Sequence, residues 1–107
     1  MGIITNTFKG GRKKALTLSY DDGVTQDKRL VSIFNKYALK ATFNLNSGIQ
    51  SEKNYWINKG KTIRRMNIED IEEVYKGHEI AIHSLSHPHL EDLPKEMLIT
   101  EIFEDRK

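Results

Sequence analysis

Apolar and polar positions alternate along this chain in blocks that change period several times. Residues 15–20, Ala15-Leu16-Thr17-Leu18-Ser19-Tyr20, are apolar and β-favouring, and Asp21-Asp22-Gly23 ends the run abruptly. That is the pattern of a buried strand closed by a polar turn. From Asp27, which can cap a helix, Leu30, Val31, Phe34 and Tyr37-Ala38 recur at helical spacing, so a helix is expected over residues 27–38. A second β-type run follows at 41–46, and strand, helix, strand with short joints predicts a parallel pair. Residues 47–66 lose the pattern and read as a long excursion.

Asn67 offers an N-cap to a short helix striped by Ile68, Ile71, Val74 and Tyr75, with Gly77 to end it. Glu79-Ile80-Ala81-Ile82 reads as a third strand. After a turn-rich stretch containing Pro88 and Pro94, residues 95–107 have a helical pattern with Leu98, Ile99, Ile102 and Phe103 expected to face inward. Three strands alternating with three helices define an α/β unit with helices packed on a parallel sheet. The chain is read as one partial domain over residues 1–107, with residues 1–14 as a basic lead-in. Its last residues form a charged helical stretch with neither a cap nor the strand that would follow, which predicts a truncated unit.

Composition narrows the class without changing this picture. At 107 residues there is room for one small domain, and 37% hydrophobic residues support a modest core. No apolar run approaches the roughly 18 residues that cross a bilayer, and no secretory leader is visible, so the compartment stays open with the cytoplasm favoured. With no cysteine, disulfide scaffolds, thiolate zinc sites and thiol catalysis are excluded. The net charge is only +2, with acids interspersed among the bases, which gives no nucleic-acid footprint.

In parallel α/β architectures, ligands bind at the carboxyl ends of the strands. Asp21 and Asp22 close the first strand, Asn46 and Ser47 the second, and His83 to His89 follow the third. Two imidazoles four residues apart, His83 and His87, therefore reach the same rim as a carboxylate. Imidazole nitrogen with carboxylate oxygen suits a divalent ion such as zinc, and three protein ligands leave an open position for water. Such an ion acidifies water and polarises a carbonyl, which is chemistry for acyl hydrolysis. Asp22 is assigned as a ligand with His83 and His87, and Asp21 as the general base.

Each residue also has a plainer reading. Asp-Asp-Gly after a strand is often only a turn, and histidines are common near turns. His78, on the opposite edge, is read as structural or solvated, and His89 as loop packing. Tyr55 and Trp56 either stack on a sugar ring or anchor the long excursion. Lys61, Arg64 and Arg65 are read as a solvated face, to which a polyanionic substrate would be drawn.

Ser19-Tyr20-Asp21-Asp22-Gly23 resembles the first motif of the NodB-homology polysaccharide deacetylases, carbohydrate esterase family 4, usually Thr-Phe-Asp-Asp-Gly. His83-Ser84-Leu85-Ser86-His87 resembles their second motif, and Ala41-Thr42-Phe43 their second strand. The resemblance implies a partial (β/α) barrel and metal-dependent removal of N- or O-acetyl groups from an amino-sugar polysaccharide. It implies Asp21 as base, Asp22, His83 and His87 as ligands of zinc, with cobalt or nickel as substitutes, and Ser84 as support for the histidine turn. The family's three later motifs, including its general acid, fall beyond Lys107, so weak or no activity is expected of this chain alone. The alternative is a non-catalytic metal- or glycan-binding fragment that self-associates through exposed sheet edges. A metallophosphatase would need a second cluster of ligands, and none is found. No nucleic-acid or membrane partner is expected.

Overall fold

A computed structural model of the protein describes residues 7–106. Residues 1–6 of the basic lead-in and Lys107 lie outside the described residues. The architecture is a parallel sheet of three strands flanked by helices, with a separate two-stranded hairpin. The sheet strands are β1 (Ser19–Asp21), β2 (Thr42–Leu45) and β5 (Glu79–Ile82). The helices are α1 (Asp27–Lys36), α2 (Ile68–Val74) and α3 (Lys95–Arg106). Both pairings with β2 are parallel, with Tyr20 opposite Phe43 and Phe43 opposite Ile80. These are the three strands and three helices expected from the pattern of the sequence. The first strand is shorter than the apolar run that announced it and is not buried as expected: Leu16 is exposed, as are Ser19 and Asp21, although the Thr42 N–H still donates to the Leu18 carbonyl at 2.9 Å.

The core lies between β2 and the first two helices. Val31, Phe34, Ala41, Phe43, Leu45, Met66, Ile71 and Tyr75 form it. Phe43 is fully buried, its ring 4.5 Å from that of Tyr75 and 5.9 Å from that of Tyr20. Burying a side chain of this size contributes roughly 1.5–3 kcal/mol, so the middle of β2 anchors the unit.

Four local expectations are corrected. Residues 47–66 are not a patternless excursion. They contain β3 (Tyr55–Asn58) and β4 (Lys61–Arg64), paired antiparallel. Lys59 and Gly60 both have positive φ, 51° and 77°, the requirement of a tight two-residue hairpin turn whose twist matches the strands. Asp27 does not cap α1 but is its first residue. Its buried carboxylate accepts the Tyr75 hydroxyl at 2.7 Å and so ties α1 to the end of α2. Burial holds the Asp27 carboxyl above its ordinary range, opposed by that hydrogen bond. Asn67 sits at the N-cap of α2 without capping it, because its side-chain oxygen accepts the Glu52 N–H instead.

The fourth correction concerns α3. Ile99, Ile102 and Phe103 are exposed rather than turned inward, and Asp105 is the buried residue of that helix. The helix docks by polar contacts with the turn after β5, so the periodic apolar set does not mark its inner face.

Candidate metal centre

Asp21 ends β1, and Asp22 continues the ladder by one bond, its N–H donating to the Asn44 carbonyl at 2.9 Å. The chain then turns sharply. Asp22 and Gly23 both adopt left-handed backbone, with φ of 78° and 59°. A Cβ on Gly23 would collide with Gln50 Nε2 and stand 2.7 Å from Leu45 Cδ2, so only glycine fits. The turn parts the two carboxylates. Asp21 is mostly exposed, with one oxygen held by Asn44 Nδ2 at 2.9 Å, and Asn44 in turn reaches Ser19 Oγ at 2.8 Å. Asp22 points into the rim.

After β5 the chain makes a second left-handed turn, at Ser84 (φ 70°) and His87 (φ 60°). Ser84 Oγ accepts the His87 N–H at 3.2 Å, the supporting role expected of that residue. From α3, Asp105 accepts the Ser47 N–H at 2.7 Å and the His83 N–H at 2.8 Å, joining the ends of β2 and β5. Glu101 accepts both the N–H and the hydroxyl of Ser86, which holds its carboxyl below the usual range. Fully buried Asn46 donates to the carbonyls of His83 and Ser84.

These turns bring Asp22, His83 and His87 together, with one donor atom from each within 4.8 Å of the others. Asp22 Oδ1 lies 3.4 Å from His87 Nε2 and 3.6 Å from His83 Nε2, and Asp21 Oδ2 is 3.9 Å from His83 Nε2. Asp22 Oδ1 is buried and has no hydrogen-bond partner among the described residues. An orphaned buried carboxylate oxygen costs free energy unless something else satisfies it. Donor atoms of a tetrahedral zinc ion with bonds of about 2.0–2.1 Å stand about 3.3–3.4 Å apart, and the two distances from Asp22 Oδ1 to the imidazole nitrogens, 3.4 and 3.6 Å, are close to that spacing. A cavity of about 460 Å³ opens beside the pair, lined by Ile82, His83, His87, Pro88 and Leu90. A larger cleft of about 530 Å³, between α2 and β5, touches none of these three residues nor Asp21.

Arg65 is the main departure from the sequence reading. It is not part of a solvated face but is 7% exposed beneath the site. Its Nη2 is 3.7 Å from Asp22 Oδ1, and its Cζ lies over the Trp56 ring, 5.3 Å from the ring centroid, which makes Trp56 part of the hairpin's anchorage. Burial lowers the Arg65 pKa, and the charge of Asp22 works the other way. Lys61 and Arg64 are exposed as expected. His78 is structural, accepting the Ala41 N–H and pairing with Asn35, whereas His89 does not pack in the loop as expected but is exposed beside Glu91. Sequence reasoning missed Asn44, Gln50, Arg65, Glu101 and Asp105. For the hairpin that carries Arg65, the cue was Tyr55-Trp56-Ile57 followed by Gly60.

Among curated proteins none matches the chain significantly. Among solved structures it is similar to the Streptococcus pyogenes deacetylase PplD in complex with acetate, at 24% identity and a TM-score of 0.69. The similarity covers 87% of this chain and 38% of that one, so this chain spans well under half the length of that protein and shares its fold. The polysaccharide deacetylase family matches residues 9–107, which include both carboxylates and the whole histidine turn. The chain belongs to the polysaccharide deacetylase family.

Proposed function

We propose that the chain carries the metal-binding half of a deacetylase site acting on N- or O-acetyl groups of an amino-sugar polysaccharide. Asp22, His83 and His87 hold a divalent cation, zinc in the first instance, and Asp21 is the general base. The observation that carries this reading is Asp22 Oδ1, buried without a hydrogen bond and facing two imidazole nitrogens at 3.4 and 3.6 Å. When bound, the ion supplies Lewis-acid chemistry, polarising an acyl carbonyl and making water acidic near neutral pH.

The other parts belong to the protein. Asn44 holds one oxygen of Asp21 and leaves the other turned toward His83, where it can take a proton from an attacking water. The cavity beside the histidines receives the acetylated sugar, and Asp105 and Asn46 keep the imidazoles in register with Asp22. The competing reading is a site that binds metal or glycan without turnover.

Acetate release from a chitooligosaccharide in the presence of zinc or cobalt separates the two. Asp21→Asn is expected to abolish release while leaving zinc uptake within about threefold, since Asp21 is not assigned as a ligand. Zinc binding with no acetate release from the unaltered chain would favour the binding reading.

A further inference from the structure

Arg65 presents a contradiction in charge. A buried guanidinium 3.7 Å from the carboxylate oxygen assigned to a divalent cation opposes that cation by Coulomb's law. Its hydrogen bonds suggest the opposite effect. The same nitrogen, Nη1, donates to the Asp22 carbonyl at 2.9 Å, to Asn46 Oδ1 at 2.8 Å and to Gln50 Oε1 at 3.4 Å. Asn46 then donates to the His83 and Ser84 carbonyls, and Gln50 Nε2 donates to the Gly23 carbonyl at 2.9 Å. One side chain thus connects the left-handed turn that presents Asp22 to the turn that presents His83.

The hairpin delivers this side chain. Arg65 follows β4 directly, its N–H donates to Asn54, it forms a β-bridge with Val24, and the next N–H, of Met66, donates to the Gly23 carbonyl at 2.7 Å. We propose that Arg65 is a positioning residue for Asp22, whose loss weakens cation binding even though it removes a nearby positive charge. The inference rests on the metal-site reading above.

Two physical terms decide the sign. The guanidinium faces the carboxylate, so part of its field is already neutralised by Asp22, which reduces its effect on an incoming ion. Without Arg65, the Asp22 carbonyl and Asn46 Oδ1 lose their buried donor, and a non-glycine residue at φ 78° loses a contact that holds it in a sparsely populated conformation. Removing partners that orient metal ligands typically lowers metal affinity 10–100-fold.

The test is a zinc titration of the metal-free chain against a chromophoric chelator, with circular dichroism confirming that each variant is folded. The expected order of affinity is wild type, then Arg65→Lys within a few-fold, then Arg65→Met about 10–100-fold weaker. A charge-only effect gives the reverse order, with Arg65→Met tightest, and a purely architectural role lowers stability with no change in the affinity of the folded chain. Either result overturns the inference while leaving the metal site standing. If Arg65→Met does not fold, Arg65→Gln, equally neutral, decides by the same sign. A wild-type chain that takes up no zinc removes the metal-site reading and the inference together.

Discussion

The two ends of the sheet use histidine in opposite ways. At the end where β5 begins, His78 Nδ1 accepts the Ala41 N–H at 3.1 Å, and Nε2 pairs with Asn35 Oδ1 at 2.8 Å. Its ring stands edge-on to Phe43, 5.7 Å between centroids. At the other end, Nε2 of His83 and of His87 converge on Asp22 Oδ1 at 3.6 and 3.4 Å without a hydrogen bond to it. A histidine with both nitrogens engaged holds the fold. A histidine pair whose nitrogens converge on an unsatisfied carboxylate is free to take a ligand. What separates the structural histidine from the two proposed ligands is therefore the partner count of the ring nitrogens rather than burial.

Substitutions at the two ends are expected to separate zinc affinity from stability. The largest effect is expected at the rim: His87→Ala should weaken zinc binding by more than about 100-fold, beyond the range for an orienting partner. Because this side chain is half exposed, metal-free stability should stay within about 0.5 kcal/mol. Isothermal titration and urea unfolding read the two quantities, and a parallel fall in both would erase the distinction.

Asp105→Ala lies between the two classes. It removes a buried carboxylate from two backbone N–H groups, so a loss of about 2 kcal/mol in urea unfolding is expected together with a several-fold fall in zinc affinity. Stability unchanged by this substitution would show that α3 does not secure the rim.

The smallest effect is at the other end. Burial, assisted by the Lys40 charge, lowers the His78 pKa from its ordinary value of 6.5. A depressed pKa means that the stabilisation is fully present above that ordinary value and is lost as pH falls through the lower folded value. His78→Asn should therefore cost about 1 kcal/mol at pH 8 and progressively less toward pH 5, with zinc affinity at pH 8 unchanged. The difference between variant and wild-type unfolding midpoints across pH isolates this residue from the other histidines, and a difference constant with pH would contradict it.

How much of this was legible in the chain differs by kind of interaction. The order of strands and helices was readable because local period and turn residues carry it. Asp21, Asp22, His83 and His87 were readable because each lies just past a predicted strand end, where a parallel sheet gathers side chains on one rim. The hairpin was hidden because Lys59 stands where a two-residue turn usually shows asparagine or aspartate. The inner face of α3 was hidden for a different reason. Its apolar spacing suggested a buried stripe, while Glu101 and Asp105 make the contacts that dock it.

By itself the sequence determined the α/β alternation, the two motifs and the donor types that could share an ion, because these depend on neighbours within a few residues. Only the tertiary structure decided that Arg65 is buried, that Asn46 connects the two turns and that Asp105 fastens β2 to β5. Those contacts join residues 19 to 58 positions apart, and no local period records them. A polar side chain acquires such a role only when the fold removes water from it and leaves one particular partner within reach.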